Sequence, residues 1–118
     1  MSSYPLTITL PWPPTVNNYY TVARGRKILS KRGRRYKNEA WLVLLAQGRY
    51  RQLQGDVSLF IRAYPPDKRR RDLDNILKPV LDVLTTAGIY KDDSQVVDLR
   101  IQKFNPAKPG RIEIVVNE

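Results

Sequence analysis

The chain of 118 residues carries 21 lysines and arginines against 11 aspartates and glutamates, a formal net charge of +10. That length predicts a single domain over residues 1–118 with a modest core. The charge favours a polyanionic partner, with nucleic acid first and an anionic membrane surface second. The absence of cysteine and histidine excludes disulfides, thiolate and imidazole metal ligands, and a Ser-His-Asp triad. Any bound metal ion must therefore be held by oxygen, as Mg²⁺, Mn²⁺ and Ca²⁺ are.

Apolar residues make up 42% of the sequence but occur in short segments. This content is too high for a disordered basic tail. The longest apolar stretch, Ala40–Ala46, is far shorter than the roughly 20 residues that span a bilayer, and the N-terminus lacks the apolar core of a signal peptide. We therefore predict a cytoplasmic protein with no membrane partner.

The first part of the chain predicts a strand followed by a hairpin. Apolar residues alternate with threonine over Leu6–Leu10, the pattern of a half-buried strand. The proline-rich stretch Pro11–Pro14 predicts a stiff extended segment, and Asn17–Asn18 a turn. Tyr19–Val22 and Lys27–Leu29 predict a small exposed hairpin.

A strongly basic helix is predicted next. Ser30 is suited to cap its start, and Gly48 lies near its expected end. Its segment Ala40–Ala46 is apolar almost all round, which predicts cover on more than one side, the second cover being another copy of the chain. Between Arg24 and Lys37 lie eight cations and no acid, which favours a surface that follows DNA phosphates over a merely solvated face.

The second half predicts a helix and three more strands. The helix is expected to begin near Asp74 or Asn75, because Pro79 then falls in or just past its first turn, and to end at Gly88. Alternating apolar residues predict strands at Val57–Ala63, Val97–Ile101 and Ile112–Val116. The order of elements predicts an α/β domain, a mixed β-sheet with two main helices packed on it.

The segment Lys68–Arg71 places four consecutive cations directly before Asp72 and Asp74, and Lys78 follows four residues after the second acid. On a helix, residues i and i+2 point to different sides, so these two acids share one ion only if their segment is extended. A helix with Asp74 at its N-cap permits this. The cations would bind backbone phosphates rather than read bases.

Two further acids, Asp92 and Asp93, lie between the helix and the next strand. A helix of about thirteen residues advances roughly 20 Å, so these acids reach Asp72 only if the connection Ile89–Ser94, or the start of the strand after it, folds back. Each acid taken alone is typical of a helix cap or a turn. Their combination with the basic segment favours a metal-dependent phosphodiesterase, because phosphate must be drawn to carboxylates that otherwise repel it.

Three segments, in this order, carry a resemblance that spans nearly the whole chain: Leu10–Pro14 with Asn17–Tyr20, Arg69–Asn75 with Lys78, and Asp92–Asp98. They closely resemble the RusA family of Holliday junction resolvases, small endonucleases associated with phages and prophages. The second and third segments are specific to the family, whereas the proline motif alone is not. Pro79 stands where an ordinary helix former is expected, which bears on the start of the helix rather than on the chemistry.

The resemblance implies a RusA-like fold and a Mg²⁺-dependent homodimer, with Mn²⁺ as a substitute metal, that nicks two opposing strands of a four-way DNA junction symmetrically. It implies catalytic acids at Asp72, Asp74 and Asp93, which would also bind the metal, and an essential lysine at Lys78. Asp92, next to a ligand position, is the reserve candidate. The segment Lys68–Arg71 would then bind the DNA backbone.

Two other functions stay open at this point. One is a non-catalytic basic module that binds nucleic acid, with the aspartates serving only as caps and turn residues. The other is an endonuclease of this fold that acts mainly on other branched DNA. Both share the steep salt dependence expected of basic proteins on DNA, so binding alone does not separate them.

Overall fold

The structure, a computed structural model, describes residues 5–47 and 52–118. Nine helices and strands are found in these ranges, together with a 3₁₀ turn at Asp93–Gln95. In chain order they are β1 (Leu6–Pro11), α1 (Val16–Tyr19), β2 (Tyr20–Ala23), β3 (Arg26–Leu29), α2 (Lys31–Gln47), β4 (Val57–Tyr64), α3 (Asp74–Thr86), β5 (Val96–Lys103) and β6 (Arg111–Asn117). The predicted α/β class, with a mixed sheet and two main helices, is confirmed.

The main sheet has the strand order β1-β6-β4-β5. β6 pairs antiparallel with both β1 and β4, whereas β4 and β5 pair in parallel. Parallel neighbours need a long crossover connection, and here α3 and the 3₁₀ turn supply it. Acidic residues of the second half of the chain therefore lie in this crossover.

The core lies between one face of the sheet and the two long helices. Alternate residues of the strands are fully or almost fully buried, and so are residues of α2 and α3 one turn apart. The strand residues include Ile8, Leu10, Leu59, Ile61, Ile112 and Ile114, and the helix residues include Tyr36, Ala40, Leu44, Ile76, Val80 and Leu84. Burial on this scale is the main stabilising contribution to so small a domain.

Helix α2 begins as predicted. The Ser30 hydroxyl accepts a hydrogen bond from the Gly33 backbone N–H (2.9 Å), which satisfies one of the free donors of the first turn. Within the described chain only one side of α2 is covered: Leu44 is buried, but Leu42 is 65% and Leu45 56% exposed. The expected end of the helix near Gly48 lies outside the described residues.

Two local predictions need correction. Asn17 and Asn18 do not form a turn but belong to the short helix α1, because the N–H groups of Asn18 and Tyr19 both bond to the carbonyl of Thr15. Asp74 is not the N-cap of α3. Leu73 takes that position in a helical conformation, because the first turn already begins with a bond from the Asn75 N–H to the Asp72 carbonyl (3.1 Å).

The end of α3 agrees with the prediction, since Gly88 follows the helix with a φ of 77°, the left-handed conformation that glycine adopts without strain. Pro79 lies inside the helix, just past its first turn, and is buried. Across the described residues, no helix has the length and apolar character needed to cross a membrane.

Candidate nuclease site

The basic segment Lys68–Arg71 is organised by an acid that the sequence did not single out. The Arg71 guanidinium donates a 2.7 Å hydrogen bond to Asp67 Oδ1, and it lies 5.7 Å from the centre of the Trp12 ring. That hydrogen bond and one from the Arg69 backbone N–H lower the pKa of Asp67 to about 2. Arg71 therefore orders the loop, whereas Lys68, Arg69 and Arg70 are exposed.

The carboxylates of Asp72 and Asp74 are both exposed. Among the described residues neither carboxylate accepts a hydrogen bond or forms an ion pair, although four cations precede them. Arg71 does not compete for them because Asp67 already holds it. Each carboxylate offers the oxygen ligands that a hard divalent cation prefers, so these residue types fit such an ion. The helical conformation of Leu73 between them is not the extended one that would let both acids share one ion.

A cleft of about 260 Å³ opens beside Asp72. It lies between the proline-rich loop and the start of α3, and its walls combine guanidinium, carboxylate, amide and hydroxyl groups. The residues that line it are Thr15, Arg70, Arg71, Asp72, Asn75 and Ile76. A phosphate group entering this cleft meets positive charge and a carboxylate together, which is the combination that metal-assisted phosphoryl chemistry requires.

The 3₁₀ turn folds back onto α3 and brings Asp93 beside Lys78. The Lys78 amino group lies 3.8 Å from Asp93 Oδ2. The other oxygen, Oδ1, accepts hydrogen bonds from the hydroxyls of Thr85 (2.5 Å) and Tyr90 (3.3 Å). Burial and the Asp93 charge raise the pKa of the Tyr90 hydroxyl. The connection therefore folds back as far as Lys78, the predicted catalytic lysine, but does not bring Asp93 to Asp72.

The structure brings Asp93 to the face of α3 that carries Lys78 and Thr85, but not to Asp72 and Asp74. Asp93 contacts Thr85, and eleven residues of helix separate Thr85 from Asp74, a rise of about 16 Å. In the part of a single chain that the structure describes, no three acidic side chains lie close enough to hold one ion. Lys78, one turn after Asp74, is the residue that connects the two groups.

Asp92 has a structural task. Its carboxylate accepts hydrogen bonds from the backbone N–H (3.0 Å) and the hydroxyl of Ser94, while the side chain of Gln95 accepts one from the Asp92 N–H (2.8 Å). This reciprocal pair is a capping box, and the bonds from Ser94 lower the pKa of Asp92. The reserve candidate thus shapes the turn that presents Asp93.

Sequence reasoning missed a second acid on the same side of α3. Asp82 Oδ2 accepts a hydrogen bond from the buried hydroxyl of Tyr19 and lies 3.3 Å from the Lys37 amino group. These contacts join α1, α2 and α3 behind Lys78. Asp82 follows Lys78 by four residues, the spacing of neighbours on one helix face, and that spacing was the signal in the sequence.

Comparison with known proteins identifies the relatives of this chain. The family described as "Endodeoxyribonuclease RusA" matches residues 11–117. The proteins named crossover junction endodeoxyribonuclease RusA from Shigella sonnei strain Ss046 and Escherichia coli strain K12 are each 42% identical over 118 residues, which is all of this chain and 97% of the relative. The rusA protein of Enterobacteria phage 82 is 42% identical over 94% of this chain and 92% of its own.

Matches that cover nearly all of both sequences define the class of this protein as that of the small endodeoxyribonucleases. Within that class, the chain belongs to the RusA family. The predicted resemblance is confirmed, and one relative comes from a phage, as the family expectation has it. Membership favours a nuclease over a non-catalytic basic module.

Proposed function

We propose that this protein is a structure-selective endodeoxyribonuclease that resolves Holliday junctions by paired symmetric nicks, in DNA recombination and repair. The observation that carries the proposal is the Asp72 carboxylate, which has no partner among the described residues and lies in a cleft also lined by Arg70 and Arg71, with Asp74 two residues further along the chain. Cations that do not neutralise the adjacent acids remain available to attract phosphate. The names of the relatives supply the substrate class.

Asp72, Asp74 and Asp93 are the residues proposed to hold Mg²⁺ or Mn²⁺. The ion, when bound, positions water and stabilises negative charge on the scissile phosphate. Asp72 and Asp74 have no partner to release in the described chain, but Leu73 between them is helical, so the segment must extend for both to bind one ion. Asp93 is held by Lys78 and Thr85. It joins Asp72 and Asp74 only when DNA binding or assembly of two chains brings the 3₁₀ turn closer to the start of α3.

Lys78 is the proposed charge-balancing residue. Its amino group is more than half exposed and pairs with Asp93 at 3.8 Å, a separation at which a phosphate oxygen can compete for it. A lysine amino group neutralises phosphate as a point charge on a flexible chain. Movement of Lys78 from Asp93 to the phosphate would free one Asp93 oxygen at the moment when the substrate arrives.

Binding of the DNA backbone is assigned to the segment Lys68–Arg71. Lys68, Arg69 and Arg70 supply exposed charge, and Arg71 lines the cleft while its hydrogen bonds to Asp67 fix the loop. Contacts of this kind position a protein on DNA without reading its sequence. The junction itself must then be recognised by shape.

Two cuts at related positions require two sites, and a two-fold homodimer supplies them with the symmetry of the substrate. Two surfaces could bury a second chain. Trp41, Leu42 and Leu45 are exposed on α2, and Val97 and Leu99 are exposed on the edge strand β5. The proposed location is the cytoplasm, where such a nuclease meets its DNA.

The decisive experiment incubates the purified protein with a synthetic four-way junction, a fork and a linear duplex, each with and without Mg²⁺. Cleavage of the junction at paired positions, dependent on Mg²⁺, supports the proposal. Faster cleavage of the fork favours an endonuclease for other branched DNA. Binding to all three without any cleavage in Mg²⁺ or Mn²⁺ would overturn the proposal and leave the basic binding module.

A further inference from the structure

The hairpin formed by β2 and β3 projects from the domain as a separate arm, residues 20–29. Its strands form their own two-stranded sheet, apart from the four main strands. Arg24 and Gly25 make the turn with φ values of 52° and 74°, the conformation of a tight two-residue hairpin turn. An isolated hairpin is marginally stable, so the arm depends on its base, where the Tyr19 and Tyr20 rings meet edge to face at 4.9 Å.

The two faces of the arm follow from its register, in which Tyr20 pairs with Leu29 and Val22 with Lys27. Cross-strand partners and every second residue share a face. Tyr20 and Leu29 pack against the core, so the face that also carries Val22 and Lys27 looks towards the body of the protein. The Lys27 amino group, 4.4 Å from the centre of the Tyr20 ring, lies on that face.

Val22 is 74% exposed although it lies on the inward face. The outer part of this face of the arm is therefore open to solvent. The base of the arm lies beside the proposed site, because the Tyr20 ring contacts that of Tyr19, whose hydroxyl bonds to Asp82, one turn after Lys78 on α3. Val22 stands about 7 Å further out, two residues along an extended strand.

The chemistry of the arm fits a strand of DNA. Arg24, Arg26 and Lys27 give it three cations, and no acid occurs from Arg24 to Lys37. Cations suit the phosphates, but an exposed valine among them suits an apolar surface such as the face of a base. Proteins that kink or open DNA place apolar side chains against base steps in this way. A second copy of this chain is a poor occupant, because its own +10 charge would meet the cations of the arm.

We propose that the arm holds a DNA strand at the branch point, with Val22 packed against a base that the branch leaves unstacked and with Arg24 and Lys27 on the flanking phosphates. This inference rests on the proposed junction cleavage and adds the element that distinguishes a branch from a continuous duplex. In a continuous duplex the bases stay stacked, so Val22 finds no free base face there, whereas the cations contact phosphates in both DNAs.

The test compares Val22→Thr with Ile28→Thr, a matched control on the outward face of the same arm. Both changes keep a β-branched residue in the strand, so the hairpin is preserved. Binding is measured by fluorescence anisotropy without divalent metal, on a four-way junction and on a linear duplex of equal length. We expect Val22→Thr to weaken junction binding about tenfold, through loss of one buried apolar contact, and to leave duplex binding unchanged. Ile28→Thr should bind both DNAs as tightly as the unmodified protein.

The cations of the arm give a second measurement. Arg24→Ser should weaken binding to both DNAs and lower the slope of log K against log salt by about one. Arg100→Ser, on the sheet face away from the helices, serves as the charge control. Unchanged junction binding by Val22→Thr, equal losses on junction and duplex, or an equal loss in Ile28→Thr would overturn the inference. The proposed function is judged separately, by Mg²⁺-dependent cleavage of the junction by the unmodified protein.

Discussion

The amino group of Lys78 lies 3.8 Å from a carboxylate oxygen of Asp93. One residue comes from the second turn of α3 and the other from the 3₁₀ turn that follows the helix. The contact joins Asp93 to a lysine that lies one turn after Asp74 on the same helix. Lys78 is therefore the residue through which the two acidic groups can influence each other.

The first prediction concerns the metal ligands. Asp72→Asn removes one negative oxygen from the proposed ion site, so junction cleavage should fall at least about 100-fold while junction binding changes little. Asp98→Asn removes the same charge from exposed β5 and should cleave normally. Gel assays of binding and of Mg²⁺-dependent cleavage measure both. Normal cleavage by Asp72→Asn would contradict the ligand assignment.

Neighbouring acids allow a second, sharper comparison. Asp93→Asn should lose cleavage to a similar degree, because it changes the carboxylate that faces α3. Asp92→Asn should retain it, since asparagine still accepts the capping hydrogen bonds from Ser94. Single-turnover cleavage and thermal melting of both variants provide the readout. Loss of cleavage in Asp92→Asn with normal cleavage in Asp93→Asn would contradict the assignment and make Asp92 the acid that acts in cleavage.

Lys78→Met should reduce the rate of cleavage far more than it reduces stability. The amino group is 56% exposed, and exposed ion pairs contribute at most about 1 kcal/mol, so unfolding should shift only slightly. Lys91→Met, which removes an exposed lysine from the same connection, is the control. Equal cleavage by the two variants would leave Lys78 as a surface ion pair only.

The loop before Asp72 has a pH signature. Its hydrogen bond from Arg71 holds the pKa of Asp67 at about 2, below the ordinary 3.8. A depressed pKa in the folded state contributes stability above the unfolded pKa, and this contribution is lost as the pH falls from about 3.8 to about 2. Arg71→Met should raise the Asp67 pKa towards 3.8, measured by NMR titration of its carboxyl carbon. Arg69→Met, which keeps the backbone N–H donor, should raise it less.

Gly33 allows α2 to lie against α1. A Cβ atom at this position would fall far inside van der Waals contact with the Tyr19 carbonyl oxygen, a backbone atom that has little freedom to move. Gly33→Ala should therefore destabilise the fold by about 2 kcal/mol, despite the higher helix propensity of alanine. Gly55→Ala, where nothing lies within 4 Å, should be nearly neutral. Thermal unfolding of the two variants distinguishes close packing from a general effect of losing glycine.

Local patterns in the sequence determined most of the fold. The alternation around Ile8, Ile61 and Ile114 placed the strands, because burial of every second residue is a property of each strand by itself. Ser30 and Gly88 marked helix ends through local hydrogen bonding and local φ. The RusA motifs likewise identified the family, since they are fixed runs of residues.

Tertiary structure alone decided how the charges are paired. The sequence placed Lys68–Arg71 directly before Asp72 without showing which charges pair. Folding gave Arg71 to Asp67 and left Asp72 without a partner among the described residues. The same holds for Asp82, which acquires Tyr19 and Lys37 from distant parts of the chain. A charge interacts with whatever lies within a few ångströms in space, and sequence separation carries little information about that distance. For this reason the residue types of the site could be read in advance, whereas their partners, and the exposure of Val22 on the arm, required the folded chain.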